Sequence, residues 1–305
     1  MSTMALSPST GPDAGDIEDE YRLHRRFDRI GRLLGDAGMR RLLDSSVAIV
    51  GLGGVGSFAA ESLARSGIGH LRLIDFDRVC VTNTNRQLQA LKGKIGCSKA
   101  EVLAERLLLV NPQARVEAVP QFYSAANAAR LLRDDIGFVV DAIDNVTAKC
   151  HLIAHCRRNG IRLVCSTGAA GRMDPTLIRV ADLAQTRVDP LAQAVRRVLR
   201  QEHGFPGNGD FGIPAVFSTE SPQQPLPLTY DQGRGFRCVC PGGKNDFHSC
   251  EGRRVIYGTA SFVTGSFGLT CASVVVRAIA GSAPGSAHAE CDTPDSAVVG
   301  NTADL

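Results

Sequence analysis

The chain of 305 residues contains no tryptophan and only four tyrosines, and none of its ten cysteines forms a C-x-x-C pair. The last absence excludes a zinc site of paired C-x-x-C motifs, and the irregular cysteine spacing excludes a secreted disulfide scaffold. Both ends lack positive charge: residues 1–20 carry five acids and residues 282–305 four, with no lysine or arginine in either. The first 20 residues therefore lack the basic start and apolar run of a secretory leader, and a reducing, cytoplasmic setting is expected. Both ends are rich in Ser, Pro, Ala and Gly and read as disordered acidic tails. Setting those nine acids aside from the formal +3 leaves residues 21–281, read as one continuous domain, at about +12. Such a charge suits a polyanionic partner and equally a solvated basic surface. Charge is missing once more from Val255 to Val276, a run of 22 residues. That length would span a bilayer. The many Gly, Ser and Thr positions in it argue instead for a buried helix packed on a sheet or a second subunit, and membrane insertion is not expected.

What is present is a regular alternation. Ser46–Val50 is a short apolar strand, Gly56–Ser66 a helix, Leu71–Asp75 the next strand, and Ser98–Val110 a helix stopped by Asn111-Pro112. Arg115–Val119, Phe138–Asp141 and Arg162–Ser166 are further strands, alternating with helices near 125–132 and 145–158, and a helix over 26–43 precedes them all. This rhythm predicts an α/β fold with a Rossmann-like, doubly wound, mostly parallel sheet. Beyond residue 170 a strand at Thr176–Val180 and a basic helix at Pro190–Gln201 predict a C-terminal antiparallel extension with long loops, and residues 203–236 read as a Gly/Pro-rich loop region.

The first strand runs into IVGLGGVGSFAA, where Gly51, Gly53 and Gly56 have G-x-G-x-x-G spacing and Gly54 adds a fourth glycine. Gly51 permits the tight turn, Gly53 lets backbone approach phosphate, and the following helix N-terminus supplies amide donors. Asp75 ends the next strand, placed to accept from ribose hydroxyls. NAD and ATP are equally served to this point. The following LIDFDRVCVTNTNRQLQALKGKIGCSKAEV adds Asp77, Asn83, Arg86 and Lys99, and DAIDN puts Asp141 and Asp144 at the end of a later strand. Hydride transfer has no use for such charges. Attack on an α-phosphate does, because cations neutralise the developing phosphoryl charge and a carboxylate can hold Mg²⁺.

RFDR, VGLGGVGS, LIDFDRVCVTNTNRQ, GCSKAEV and DAIDN together make residues 26–180 resemble the ThiF/MoeB/HesA superfamily of adenylyltransferases, similar to ubiquitin-activating enzymes. The resemblance implies ATP as the nucleotide, with Gly53 and Gly54 approaching its phosphates and Asp75 binding ribose. It puts Asn83, Arg86 and Lys99 along the triphosphate, with Asp77 beside them, and Asp144 on Mg²⁺. Arg29 matches an arginine that reaches the partner's ATP in a homodimer. STGAAGRMDPTLIRVADLAQTRVDPLAQAVRR, AVFSTE and the CRRN at Cys156–Asn159 extend the likeness over residues 22–280 to the branch of tRNA threonylcarbamoyladenosine dehydratases. That branch implies adenylation of a threonyl carboxylate beside the tRNA anticodon, then ring closure with loss of water. The basic core then has tRNA as its partner, with Arg157, Arg158, Arg196, Arg197 and Arg200 as candidates and a solvated helix face as the alternative. Activation of a ubiquitin-like sulfur carrier, a non-catalytic scaffold linked to a cysteine desulfurase system, and an NAD-dependent oxidoreductase are the competing functions.

Cys238, Cys240, His248 and Cys250 form C-x-C-x7-H-x-C, four soft ligands that could hold zinc, with plain or redox-sensitive thiols as the alternative. Cys80, Cys97, Cys150, Cys156, Cys165 and Cys271 are expected to be buried thiols, and His151 and His155, one helical turn apart, to be surface or core histidines.

Overall fold

Residues 22–228 and 256–281 are described by the computed structural model, and they build one seven-stranded sheet clothed by helices on both faces. The strands are β1 (Ser46–Val50), β2 (His70–Ile74), β3 (Arg115–Val119), β4 (Phe138–Asp141), β5 (Arg162–Ser166), β6 (Ile178–Asp182) and β7 (Pro214–Ser218). The helices are α1 (Asp28–Leu43), α2 (Gly56–Arg65), α3 (Lys99–Val110), α4 (Ala128–Leu131), α5 (Val146–Arg158), α6 (Pro190–Glu202) and α7 (Ser261–Ala280). Sheet order is β3-β2-β1-β4-β5-β7-β6, parallel throughout except for β6 against β7. The doubly wound sheet with an antiparallel extension is therefore present.

β1 is buried on both faces, which is why it reads as an unbroken apolar run. Its Val47 and Ile49 join the core formed with α1, α2, α3 and α7, while Ala48 and Val50 join the core under α4, α5 and α6. Strand order reverses between β1 and β4, and the crevice beyond their C-terminal ends is where such sheets bind ligands. Val50 pairs there with Ile74 on one side and Asp141 on the other.

Three details differ from expectation. β7 lies inside the segment expected to be loop, between β5 and β6. β6 begins at Ile178 rather than Thr176, because the Asp174 carboxylate accepts from Thr176 N (2.8 Å) and Oγ1 (2.6 Å) and holds Pro175–Leu177 in a 3-10 turn. The helix near 125–132 shrinks to the four residues of α4. α7 matches the expected buried helix. It is long and apolar enough to cross a membrane, yet it lies along α2, where a Cβ on Gly268 would come within 2.3 Å of the Val55 carbonyl and one on Gly265 would press on the Phe58 ring.

Candidate active site

Three of the four glycines in the loop after β1 have a steric reason. Gly51 adopts φ +89°, and a Cβ there would lie 2.7 Å from the Ala142 carbonyl oxygen. A Cβ on Gly56 would sit 1.8 Å from the Gly51 carbonyl, so the loop closes on α2 only without one. Gly54 is overlaid by Thr264 of α7 and by the Arg86 stem, at 2.9 and 3.2 Å from an added Cβ. Gly53 meets nothing closer than Gln87 at 4.0 Å, which leaves its backbone open to a ligand.

Asp75 knots this loop to the next. Its carboxylate accepts from Leu52 N at 2.6 Å and from Asp77 N at 2.8 Å. Lys99, first residue of α3, reaches back to Asp77 with Nζ 2.8 Å from Oδ2 and only 7% of its side chain exposed. Burial pushes the Asp75 carboxyl up from its ordinary range, with Lys99 opposing. Burial also works against the Lys99 charge, but Asp75 and Asp77 outweigh it and hold that ammonium above the usual lysine value. A cation is thus fixed and kept charged beside the glycine loop. Arg86, half-buried, is close enough to repel Lys99 electrostatically, and its guanidinium donates to Thr82 O (3.0 Å) and Asn85 Oδ1 (2.9 Å). Asn83 is buried and uses Oδ1 to accept from Cys80 N at 3.1 Å, shaping the turn ahead of Arg86.

The third wall is the loop after β4. Asp144 is exposed there, between the buried Asp141 and Asn145, which caps α5 by accepting from Ala148 N at 3.0 Å. The loop after β5 closes the rim: the buried Asp189 carboxylate accepts from Thr167 Oγ1, Gly168 N, Arg172 Nη2 and Ala192 N. Val188 beside it has φ 61°, the one positive φ outside glycine among the described residues.

Gly51, Gly53, Gly54, Gly56, Asp75, Asp77, Asn83, Arg86, Lys99 and Asp144 therefore lie on the loops after β1, β2 and β4 and the helix starts that follow them, at the C-terminal ends of adjacent strands. Other candidates lie elsewhere. Phe27, two residues before Arg29, packs over Gly67 past the far end of α2, about 15 Å of helix below the glycine loop. Arg157 and Arg158 end α5, about 20 Å of helix from Asp144. The Arg157 and Arg200 guanidiniums lie 4.3 and 5.1 Å over the rings of Phe205 and Phe211, which meet edge to face at 5.0 Å, and Arg197 is exposed on α6. Arg196 turns inward to Thr186 Oγ1. Cys97 is exposed, a correction to the expected burial that follows from its place on the loop before α3; Cys80, Cys150, Cys156, Cys165 and Cys271 are buried, and burial pushes the Cys156 and Cys271 thiols up to about 12. His151 and His155 stack at 5.9 Å, with His151 Nδ1 3.1 Å from Tyr123 Oη. Cys238, Cys240, His248 and Cys250, and both tails, lie outside the described residues.

Sequence reasoning passed over Gln89, Lys149, Arg172 and Asp189. Gln89 is fully buried and donates to Leu52 O at 2.6 Å, bracing the glycine loop. The available signal for Lys149 was a lone lysine among Ala148, Cys150 and Leu152 on an otherwise apolar helix face.

The ThiF family model matches residues 27–297. The chain belongs to the ThiF family. Among its ThiF family relatives, the tRNA threonylcarbamoyladenosine dehydratase of Escherichia coli K12 is 43% identical over 266 residues, covering 86% of this chain and 95% of that one. A crystal structure of the E. coli tRNA N6-threonylcarbamoyladenosine dehydratase in complex with ATP superposes with a TM-score of 0.71 at 41% identity, over 83% of this chain and 93% of that one. The E. coli molybdopterin-synthase adenylyltransferase is 37% identical over 159 residues, 52% of this chain and 63% of its own.

Proposed function

We propose that this ThiF family enzyme is an ATP-dependent tRNA threonylcarbamoyladenosine dehydratase. The observation that carries the reading is the cluster of buried Lys99 and Asp75 with half-buried Asp77 against an open glycine loop, a cation held where phosphoryl charge would develop. Hydride transfer gives that cluster no task. The likeness to named dehydratases extends over nearly the whole described chain, whereas likeness to the molybdopterin-synthase enzyme covers about half.

ATP would lie with its ribose toward Asp75 and its phosphates over Gly53 and Gly54. A carboxylate oxygen of the threonyl group attacks the α-phosphorus, the bond to the bridging oxygen breaks, and pyrophosphate leaves. Lys99 and Arg86 stabilise the charge that accumulates on both fragments. A nucleophile within the same side chain then attacks the acyl carbon and expels AMP, so the substrate loses one water overall. Being intramolecular, this closure draws its rate from proximity and needs no cysteine thioester. Mg²⁺ commonly takes one or two carboxylates and fills its shell with phosphate oxygens and water. Asp144, exposed on the loop after β4, could supply one such carboxylate. Bound there, the ion would withdraw charge from the phosphates.

The enzyme acts as a homodimer in this reading. Arg29 is remote from its own crevice and would donate to the phosphates of the neighbouring subunit. tRNA phosphates would meet Arg157, Arg158, Arg197 and Arg200, and the stacking of Arg157 on Phe205 and of Arg200 on Phe211 limits the entropy lost on binding; Arg196 serves α6 itself. ATP–pyrophosphate exchange tests the whole: it should depend on tRNA bearing threonylcarbamoyladenosine. Exchange driven instead by the C-terminus of a sulfur-carrier protein would assign the chain to that activity, and contact with a cysteine desulfurase would follow from it.

A further inference from the structure

Lys149 and Asp141 are both completely buried, with Nζ 2.7 Å from Oδ2. The two charges face each other at ion-pair distance, and each stabilises the charged form of the other. The other titratable neighbours of the ammonium are the thiols of Cys165 and Cys271, weak acceptors at best. Burying two charges costs several kcal/mol per ion, and apolar pairs of similar volume are commonly as stable or more so. Stability alone gives no reason for the pair. Its position does.

Asp141 ends β4, and its second oxygen accepts from Ile143 N at 3.1 Å. Ala142 N donates to Val50 O at 2.9 Å, and the Ala142 carbonyl is the group against which Gly51 must lack a side chain. Lys149 N in turn donates to Asn145 O at 2.9 Å in the first turn of α5. The three residues Ala142, Ile143 and Asp144 are therefore slung between a carboxylate at one end and a capped helix at the other, with Lys149 joining both supports from below.

We propose that Asp141 and Lys149 are positioning residues for the reaction, holding the loop that carries Asp144 against the glycine loop without touching substrate or nucleotide. Asp141 supplies the acceptor for Ile143 N, and Lys149 balances its charge. The inference rests on the role given to Asp144 above.

Two double variants of the full chain separate positioning from bulk stability. Asp141→Leu/Lys149→Met removes the charges and the acceptor, whereas Asp141→Asn/Lys149→Met removes the charges and keeps an acceptor for Ile143 N. Both are followed by thermal unfolding, by turnover on modified tRNA, and by calorimetric binding of a non-hydrolysable ATP analogue with and without Mg²⁺. The Leu/Met protein should melt near the wild type yet lose about 10- to 100-fold in turnover and in the Mg²⁺-dependent part of analogue binding, the usual effect of losing an outer-shell support. The Asn/Met protein should recover most of both. Equal behaviour of the two folded variants would overturn the proposal, as would wild-type turnover in Leu/Met. Should Leu/Met fail to fold, Asn/Met decides alone: folded protein with turnover lost overturns it, and turnover kept supports it. Asp144→Asn is run alongside, because full activity in that variant would overturn the role of Asp144 itself.

Discussion

Lys99→Met keeps the buried stem of the side chain and deletes its charge, and the structure sets what each assay should read. The ammonium is 7% exposed and its Asp77 partner 36%. Breaking a wholly buried pair by removing one member costs about 3–5 kcal/mol, but the exposure of Asp77 returns part of that carboxylate to water. About 1–3 kcal/mol of stability should be lost, roughly 2–4 °C of melting temperature per kcal/mol for a chain of this size. Turnover should fall further, by about 100- to 1000-fold, because a fixed cation beside the phosphates is lost at the same time. Asp75 and Lys99 respond differently to pH. Burial raises the Asp75 carboxyl, so the folded state holds that proton more tightly than the unfolded chain, and stability declines as pH rises from the unfolded value through the raised one. Lys99 restrains this shift, so without it the decline is larger. The Lys99 contribution is fully present below its unfolded value and is lost only in strong alkali. The melting gap between variant and wild type should therefore widen as pH rises from about 4 and level off once the Asp75 carboxyl of the variant is ionised. Differential scanning calorimetry across that range and single-turnover kinetics check both parts. A flat gap, or near-wild-type turnover in folded protein, would refute the cluster as described.

Arg157→Ala/Arg197→Ala/Arg200→Ala should raise KM for tRNA and flatten the log–log salt dependence of binding by about 2 to 3, with ATP affinity unchanged; an unaltered slope returns these arginines to solvent. Arg29→Ala and Lys99→Ala should each be inactive but regain about a quarter of wild-type activity when mixed with verified subunit exchange, since half the dimers are then mixed and each has one intact site; no recovery would mean that Arg29 does not act across subunits. Protein purified without chelator should contain about one zinc per chain, lost in Cys240→Ser; fully active metal-free protein ends the assignment to Cys238, Cys240, His248 and Cys250.

How far the sequence could be read follows from where each residue finds its partner. β1, β2, β4 and β5 were legible because parallel strands buried on both faces are written as mostly apolar runs, and the edge strand β3 because Asn111-Pro112 stops the helix before it. β7 was not. It begins with Pro214 after a Gly/Pro-rich approach, and only its pairing with the earlier β5 and β6 makes it a strand. The candidate nucleotide residues could be nominated for a related reason: Gly51 to Gly56, Asp75 and Lys99 belong to consecutive elements, and their types match phosphate chemistry directly. Their supports carry no such signal. Asp189 takes hydrogen bonds from Thr167, Gly168 and Arg172, about twenty positions earlier, and Gln89 holds the Leu52 carbonyl from 37 residues away. Lys149 is eight positions from Asp141, yet a lysine on a helix reads as solvated until a fold is seen to enclose it. The same limit governs the arginines. α5 and α6 each present a basic stretch, but only their shared descent to the far edge of the sheet puts Arg157 and Arg200 beside Phe205 and Phe211 and turns Arg196 inward. Spacing along the chain can nominate residues that touch the nucleotide; what holds them still, and which surface lies a helix-length away to receive the rest of a large substrate, depends on contacts that form only when the sheet does.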